Sequence, residues 1–367
     1  MNRFTELPTS NHERVVSCHD HATGLRAIIA VHDTTLGPAL GGLRMWDYAS
    51  EDEALFDVLR LARGMTLKSA AAGLNFGGGK AVILGDSRTQ KSAALLRCFG
   101  LFVNELAGKY ITAEDMGIGT HDIDTIREVT PHVAGLADRS GDPSPFTALG
   151  VFVGIQAALK RATGREELSG KRVLVQGTGQ VGLALVRHLH SAGAEVLAYD
   201  VNDSSLGAAV VAGARAVSAE EVYAAPVEVY APCALGATLN PATIPQLRCA
   251  VVCGAANNQL LDEERDGQAL HDRGILYAPD FVVNAGGIIN IAVEKETDYD
   301  PGRARRLTEN IYQTVTEILV ACDREHLLPQ QAAIRLAERR LHSAAPGCAP
   351  HAGAAARGMH PHQAFML

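Results

Sequence analysis

A glycine-rich turn in residues 172–182, RVLVQGTGQVG, constrains the fold of this chain more than any other feature. An apolar run typical of a buried strand precedes the turn, and a helical pattern follows it. Gly177, Gly179 and Gly182 give G-x-G-x-x-G: the first permits a tight turn, the second lets backbone approach a pyrophosphate, and the third lets helix and strand pack closely. Because the helix N-terminus supplies N–H donors and positive potential, we predict a Rossmann-type unit that binds a dinucleotide.

A carboxylate at Asp200 ends the next strand, in AEVLAYD. An acidic side chain in this position accepts hydrogen bonds from both ribose hydroxyls and repels a 2′-phosphate. The sequence therefore predicts NAD rather than NADP as the cofactor. A relative of the same fold that binds no dinucleotide would also keep the turn, and this alternative stays open.

The pattern of the whole 367-residue chain predicts an α/β fold with two domains and a cleft between them. Residues 1–145 are predicted to form an N-terminal α/β substrate domain that carries the catalytic groups. Residues 146–325 are predicted to form the Rossmann-type NAD-binding domain, ending in a helical segment. A C-terminal helix within residues 326–345 is expected to pack back on the first domain, and residues 346–367, which lack periodicity, are expected to form a disordered tail.

Composition excludes several classes of protein. A net charge of −8, with no concentrated basic segment, argues against nucleic acid as a partner. No apolar run has the length of a membrane span, and the N-terminal residues lack the apolar core of a secretory signal. The seven cysteines match neither a disulfide framework nor a zinc site. We therefore expect a cytoplasmic protein without a bound metal.

The stretch GLNFGGGKAVILGD, residues 73–86, places three glycines before Lys80. A phosphate-binding loop would lead into a helix and carry Ser or Thr after the lysine, whereas here Ala81 follows and the loop leads into a strand. Lys68 lies earlier on a predicted helix, and Asp115 ends a short strand. Two ammonium groups and one carboxylate suit an amino acid substrate. One ammonium can pair with the carboxylate, while the other, its pKa lowered by burial and by its like-charged neighbour, moves protons.

Several longer stretches resemble one known family, the amino acid dehydrogenases that act on glutamate, leucine, valine and phenylalanine, and most closely its members that act on leucine. The likeness runs from about residue 12 to about residue 340. The stretches that carry it are DTTLGPALGGLRMW, GMTLKSAAAGLNFGGGK, ITAEDMG, APCALG, GAANNQL and YAPDFVVNAGG.

The resemblance implies a role for each polar group of the first domain. Lys68 would bind the substrate α-carboxylate, and Lys80 would be the general base that activates water. Asp115 would carry protons to and from the amine, and Asn284 would hold the substrate. Asn257 or Asn258 would orient the nicotinamide and its ribose. Beside the turn glycines and Asp200, the residues expected to bind the cofactor are Thr147, Gln180, Val181, Cys233 and Ala234.

The resemblance also implies an apolar pocket for the substrate side chain. Its walls would be Leu40, Met65, Ala113, Ile288 and Ile291. Such walls leave a substrate carboxylate unpaired, whereas a branched aliphatic chain fits, so glutamate is an unfavourable substrate. Isoleucine at 288 and 291, where relatives often carry valine, would narrow the pocket toward smaller side chains, although both could be ordinary core residues. The glycines expected to leave room for the amino acid head group are Gly41, Gly42, Gly77 and Gly78.

These observations predict an NAD-dependent amino acid dehydrogenase that interconverts a branched-chain L-amino acid with its 2-oxo acid and ammonia. A homo-oligomer is expected from the resemblance. Two alternatives stay open, an enzyme specific for phenylalanine or another aromatic amino acid and a catalytically silent sensor of NAD and amino acid. A 2-hydroxy acid dehydrogenase is disfavoured, because none of the fourteen histidines lies in a suitable constellation with an arginine.

Overall fold

The structure, a computed structural model, describes residues 3–9, 11–296 and 298–344. They form two six-stranded sheets with helices packed on them, so the predicted α/β fold of two domains is confirmed. The expected disorder of residues 346–367 concerns a segment outside the described residues. Within those ranges, no helix combines the length and the apolar character that crossing a membrane requires.

The sheet of the first domain consists of β1 (Arg3–Glu6), β2 (Arg14–Asp20), β3 (Leu25–Asp33), β4 (Ala39–Trp46), β5 (Gly77–Leu84) and β6 (Tyr110–Glu114). Its helices are α1 (Glu51–Ala71), α2 (Ala93–Glu105) and α3 (Thr120–Arg127). The spatial order is β1-β2-β3-β5-β4-β6, with β5, β4 and β6 parallel to one another. Strand β4 therefore lies between the strand that carries Lys80 and the strand that leads to Asp115.

Helix α1 covers one face of this sheet. Its first turn is capped by Ser50, whose hydroxyl accepts a hydrogen bond from the Glu53 N–H. The side that faces the sheet repeats every fourth residue, as an amphipathic helix requires. It buries Ala54, Val58, Ala62, Thr66 and Ala70. This packing holds the last turns of α1, with Met65 and Lys68, above β4 and β5.

The glycines before Lys80 serve this packing. A Cβ at Gly78 would lie 2.0 Å from the Thr66 backbone nitrogen on α1, and one at Gly77 would lie 1.9 Å from the Asp33 carbonyl oxygen on β3. Both glycines are buried within the sheet. The expectation that Gly77 and Gly78 leave room for the substrate is wrong, because neither glycine lines the cavity that holds Lys68 and Lys80. Their missing side chains instead let α1 and β3 approach β5 closely.

The second sheet is parallel throughout and consists of β7 (Arg172–Gln176), β8 (Glu195–Tyr199), β9 (Arg215–Ala216), β10 (Val229–Pro232), β11 (Val251–Val252) and β12 (Leu276–Tyr277). Its spatial order is β12-β11-β10-β7-β8-β9. Read from its other edge and numbered within the domain, this is the 3-2-1-4-5-6 type of order of a dinucleotide-binding Rossmann sheet, with the switch point between β7 and β10.

Nine helices belong to this second part of the described chain: α4 (Ser144–Thr163), α5 (Gln180–Ser191), α6 (Asp203–Val211), α7 (Glu263–Asp272), α8 (Asp280–Val283), α9 (Gly286–Glu296), α10 (Pro301–Glu309), α11 (Ile311–Glu325) and α12 (Pro329–Ala344). The apolar run after Gly274 is predicted from its composition to be a strand, but only β12 is extended. Pro279 precedes the short helix α8, and Asn284 ends it at the cleft.

Helix α12 returns to the first domain. Arg340 donates hydrogen bonds to the carbonyl oxygens of Ser69 and Ala70, at 3.4 and 3.1 Å, and to the Asn75 side chain at 3.1 Å. Ser69 and Ala70 belong to the last turn of α1, where carbonyl groups lack partners within the helix. The C-terminal helix therefore contacts the same helix that carries Lys68.

Candidate active site

One cavity of about 270 Å³ lies between the two sheets. It is lined by residues of β4, α1, β5 and β6 in the first domain, by residues of α4, α5 and α9 beyond it, and by the segments that follow β11 and α8. The predicted substrate-binding and catalytic residues that line it are Leu40, Gly41, Gly42, Met65, Lys68, Lys80, Ala113, Asp115, Asn284, Ile288 and Ile291. Three predicted cofactor residues line it as well, namely Thr147, Val181 and Asn257. A larger cavity of about 710 Å³, against α7 and α11, contains none of them.

Lys80 and Asp115 form an ion pair at the floor of this cavity. The Lys80 Nζ lies 3.0 Å from the Asp115 Oδ2, and the lysine side chain is only 7% exposed. The Arg44 Nε donates to the same oxygen at 3.0 Å. Burial alone would raise the pKa of Asp115, but Lys80 and Arg44 together outweigh it and hold that pKa below its ordinary value. Asp115 is therefore an ionised acceptor next to a buried amine.

Lys68 stands on the opposite side of the same cavity. Its Nζ donates to the Asn257 Oδ1 at 3.2 Å, and the Asn284 Nδ2 donates to that oxygen at 2.8 Å. Neighbouring protein groups bury the ammonium, although the side chain keeps some exposure to the cavity. Burial lowers the pKa of Lys68 to about 8; the positive charge of Lys80 acts in the same direction, and Asp280 acts against both. Below that pH Lys68 offers a cation to a carboxylate ligand.

The two roles predicted for the lysines, pairing with the carboxylate and moving protons, can now be compared with the structure. Lys80 is the ammonium that pairs with the carboxylate, and Lys68 is the one whose pKa falls through burial and a like-charged neighbour. On electrostatic grounds alone, proton transfer belongs to the lysine of lowered pKa, whereas the family resemblance gives that role to Lys80. The position of Lys80 beside Asp115 supports the second assignment on geometric grounds.

The wall beyond these charges is apolar. Leu40, Ala113, Ile288 and Ile291 line it and are each less than 10% exposed. Ile288 and Ile291 project from α9, whose residues from Gly286 to Glu294 are all buried. They therefore serve the core and the cavity at the same time, so the two interpretations of these residues are not exclusive.

Gly41 shows why a glycine stands at the cavity floor. A Cβ on this residue would lie 1.8 Å from the Gly79 carbonyl oxygen on the neighbouring strand. At Gly42 it would lie 2.6 Å from the Glu114 carbonyl oxygen and 2.8 Å from the Asp115 Cβ. The two glycines bring β4 against its neighbours and leave the backbone bare on the side that faces the cavity.

The glycine turn has the geometry that the sequence predicts. Gly177 has a φ of +94°, which favours glycine, and a Cβ on Gly182 would lie 1.9 Å from the Gly177 carbonyl oxygen. Gly179 precedes Gln180, the first residue of α5, and a Cβ on Gly179 would meet nothing within 4 Å. Gly177 and Gly182 are thus required by the turn itself, whereas Gly179 leaves open space at a helix N-terminus, where a pyrophosphate could bind.

Asp200 lies beside this turn, directly after β8. Its Oδ2 accepts a hydrogen bond from the Thr178 N–H at 2.7 Å, and its Oδ1 accepts one from the Asn202 N–H at 2.8 Å. Burial acts to raise the pKa of Asp200, but these N–H groups outweigh it and hold that pKa below its ordinary value. The carboxylate is charged and fixed, and each oxygen keeps a lone pair for a ribose hydroxyl.

The remaining predicted cofactor residues follow the neighbouring strands. Cys233 and Ala234 come directly after β10, and the Cys233 N–H donates to the Gln176 carbonyl at 2.7 Å. Asn258, in the loop after β11, has a φ of +51°. Unlike Asn257, Asn258 does not line the cavity between the sheets. Of the two asparagines left open by the sequence, Asn257 is therefore the one that faces the substrate groups.

Sequence reasoning missed four charged residues at this site. Arg44 bridges Asp115 and Asp57, and Asp280 is buried behind Lys68, where it accepts from the Gln259 N–H at 3.0 Å. Glu114 lines the cavity, and burial is the main cause that raises its pKa. Arg44, Glu114 and Asp280 all lie within stretches that carry the family resemblance, but nothing in their local pattern singles them out.

Comparison with known proteins identifies the family of this chain. A sequence model described as the Glu/Leu/Phe/Val dehydrogenase dimerisation domain matches residues 12–132. One described as Glutamate/Leucine/Phenylalanine/Valine dehydrogenase matches residues 140–206 and 199–345. Leucine dehydrogenase of Bacillus cereus is 50% identical over 344 residues, which cover 93% of this chain and 93% of that protein. Leucine dehydrogenase of Geobacillus stearothermophilus is 49% identical, with 93% and 94% covered.

A solved structure agrees with the described fold. The crystal structure of L-tryptophan dehydrogenase from Nostoc punctiforme matches with a TM-score of 0.80 at 42% sequence identity, covering 91% of this chain and 97% of that chain. Both domains thus have counterparts in a solved amino acid dehydrogenase. Since the two sequence models and the relatives cover nearly all of the described residues, the chain belongs to the Glu/Leu/Phe/Val dehydrogenase family and is an amino acid dehydrogenase.

Proposed function

We propose that the protein catalyses the reversible, NAD-dependent oxidative deamination of branched-chain aliphatic L-amino acids, with leucine as a main substrate and valine and isoleucine as further ones. The products are the 2-oxo acid, ammonia and NADH. The observation that carries the proposal is the single cavity in which Lys68, Lys80 and Asp115 stand between an apolar wall and the dinucleotide domain. The relatives named leucine dehydrogenase, at about half identity, support the same substrate class.

Substrate binding is proposed to depend on Lys68 and Asn284. The Lys68 ammonium would pair with the α-carboxylate, replacing its contact with the Asn257 Oδ1. The Asn284 side chain, fixed by donation to the Ala255 carbonyl at 3.0 Å, would hold the amino acid from the other side. Two points of contact orient the Cα–H toward the dinucleotide domain, and this positioning is a large part of catalysis.

Proton transfer is proposed to depend on Lys80 and Asp115. The glycine turn and Asp200 would hold NAD, which would supply the acceptor for the hydride that leaves the substrate Cα. Lys80, as general base, then takes a proton from the water that attacks the iminium carbon. Asp115, 3.0 Å from the Lys80 Nζ, would take a proton from the substrate ammonium before the hydride leaves and return it to the nitrogen of the carbinolamine. Ammonia then departs as the carbinolamine hydroxyl loses its proton, and the 2-oxo acid forms. The low exposure of Lys80 keeps bulk water away from this step.

The choice of NAD over NADP is proposed to rest on Asp200. Replacing Asp200 with Asn removes the negative charge and keeps one acceptor, so a 2′-phosphate meets less repulsion. We expect the ratio of kcat/KM for NADP to that for NAD to rise about tenfold or more. The matched control is Asp203→Asn, the same change on an exposed residue that begins α6. A wild-type protein that prefers NADP, or an unchanged ratio in Asp200→Asn, would remove this assignment.

The substrate class is tested with a panel of amino acids, followed by the absorbance of the reduced nicotinamide. Leucine, valine and isoleucine should be oxidised, and glutamate should have a kcat/KM at least about 100-fold lower, because its side-chain carboxylate would be buried unpaired. Norleucine, of comparable length but uncharged, is the control that separates charge from size. If phenylalanine or tryptophan were oxidised and the branched-chain amino acids were not, an aromatic-specific enzyme would replace this proposal, as relatives such as the tryptophan dehydrogenase allow.

A silent sensor is the remaining alternative. It would bind NAD and leucine but produce no reduced nicotinamide under any condition. The presence of Lys68, Lys80 and Asp115 in one cavity speaks against it. The match of residues 12–132 to a dimerisation domain supports a homo-oligomer, which light scattering of the purified protein would test. A cytoplasmic location remains a prediction from the scattered cysteines.

A further inference from the structure

We propose that Arg44 is a positioning residue for the proton transfer, a permanent counter-ion that keeps Asp115 ionised and oriented before Lys80 accepts its proton from water. The inference rests on the proposed function, since it concerns the roles given there to Lys80 and Asp115. It assigns a part in the chemistry to a residue that the sequence did not single out.

The topology brings the three residues together. Strand β4, with Arg44, lies between β5, with Lys80, and β6, which leads to Asp115. The Lys80 Nζ and the Arg44 Nε make their ion-pair contacts with the same atom, the Asp115 Oδ2, each at 3.0 Å. One carboxylate oxygen therefore lies between two cations, on a side chain that is 26% exposed.

A second carboxylate fixes the guanidinium from the far side. The Arg44 Nη1 donates to the Asp57 Oδ2 on α1 at 2.9 Å, and the Tyr48 hydroxyl donates to that oxygen at 2.7 Å. The Asp57 side chain is only 16% exposed. Because a guanidinium donates from a rigid planar fork, contacts on both sides define its orientation, and with it the orientation of Asp115.

The charge balance gives Arg44 its importance. Lys80 must be neutral at the moment it accepts a proton from water, and its charge then no longer supports Asp115. A buried carboxylate left without a cation would take up a proton and could not act as the next acceptor. Arginine stays charged at every pH at which enzymes work. The guanidinium of Arg44 therefore supports Asp115 through the part of the cycle in which Lys80 cannot.

Other charges near Asp115 do not replace this support. The charged and titratable groups that face it, or act on it through a neighbour, are Lys80 on β5, Arg44 on β4, Tyr48 before α1, Asp57, Arg60 and Lys68 on α1, Tyr110 and Glu114 on β6, and Asp280 on α8. Two other cations are among these. A bound substrate carboxylate would occupy Lys68, and Arg60 is an exposed side chain that reaches only the far carboxylate, Asp57, at 3.8 Å. Lys80 and Arg44 are the two cations that touch Asp115.

The test is the pH dependence of kcat for leucine oxidation in Arg44→Met, which keeps the length of the side chain and removes its charge. Without the guanidinium the pKa of Asp115 rises, and activity that needs the ionised form is lost as pH falls through that higher value. We expect kcat to fall about 10- to 100-fold and the acidic limb of its profile to move up by about one pH unit or more. The KM for leucine should change far less, because Lys68 remains.

Two further variants separate charge from orientation. Arg44→Lys keeps the charge without the fork, so the acidic limb should stay near its wild-type position while kcat falls. Asp57→Asn keeps the guanidinium but weakens its support, and it should likewise lower kcat with little movement of the limb. Arg26→Met is the matched control, because Arg26 pairs with Glu51 at 2.8 Å on the surface, and it should behave as wild type.

An acidic limb and kcat unchanged in Arg44→Met would overturn the inference. If that variant does not fold, as judged by its Tm, the other two decide: a displaced acidic limb in both Arg44→Lys and Asp57→Asn would show that the charge of residue 44 does not set the pKa of Asp115. Wild-type protein that oxidises no amino acid would instead refute the proposed function itself. The two failures are therefore distinguishable.

Discussion

Replacing Lys80 with Ala should lower kcat for leucine oxidation by about 10²- to 10⁴-fold, the range that a general base contributes. Lys80 is the buried amine that touches Asp115 in the cavity, and no other lysine there contacts that carboxylate among the described residues. Removal of its side chain leaves the attacking water without an acceptor. The measurement is the initial rate of NADH formation at saturating leucine and NAD.

Two controls show that the loss concerns chemistry. NADH binding, followed by fluorescence, should stay within about threefold of wild type, because Lys80 lies on the first domain, away from the glycine turn. Lys91→Ala breaks a lysine–aspartate pair of similar length, with Asp122 at 2.7 Å, outside the cavity, and should retain wild-type activity. Turnover in Lys80→Ala at the wild-type rate would refute the proposed mechanism.

Replacing Gly182 with Ala should abolish tight binding of NADH and destabilise the second domain. The added Cβ would lie 1.9 Å from the Gly177 carbonyl oxygen, which is backbone and cannot rotate away. Moving helix α5 away from β7 should lower the unfolding free energy by about 1–3 kcal/mol. It should also displace the N–H donors of the helix N-terminus from the pyrophosphate site. Urea unfolding and NADH titration measure the two effects.

Two other glycines make this prediction specific. Gly207 lies in α6 with open space around its missing Cβ, so Gly207→Ala should leave NADH binding intact and add about 0.4–1 kcal/mol of stability. A Cβ on Gly179 also meets no protein atom within 4 Å, but it would stand at the N-terminus of α5. Gly179→Ala should therefore keep the wild-type stability and weaken NADH binding. Equal effects of all three substitutions would contradict the dinucleotide site.

The Rossmann domain was predictable because its evidence is local. The strand, the turn and the helix of residues 172–191 are continuous in sequence, and both the positive φ of Gly177 and the close approach of Gly182 to the Gly177 carbonyl oxygen arise within that unit. Asp200 follows at the end of the next strand. The order of the strands could be expected from the fold class, although the two-residue lengths of β9, β11 and β12 could not.

The substrate site was predictable only in part, because it is assembled from distant segments. Lys68, Lys80 and Asp115 came from charge chemistry and family resemblance together. Arg44 could not be found, since its role depends on β4 lying between β5 and β6 in space, an order that differs from the order in sequence. The glycines before Lys80 were misread for the same reason. Their neighbours Thr66 and Asp33 are brought close only by tertiary packing.

The return of α12 to the first domain restricts how the two halves of the molecule can move. The polypeptide passes between them on entering α4 and again where α12 rests on the end of α1. These two connections define an axis. The second domain can rotate about this axis relative to the first, but it cannot twist or slide freely. We therefore expect the cleft to open and close by rotation about one hinge axis. The cofactor would then meet the amino acid in the same alignment on every turnover.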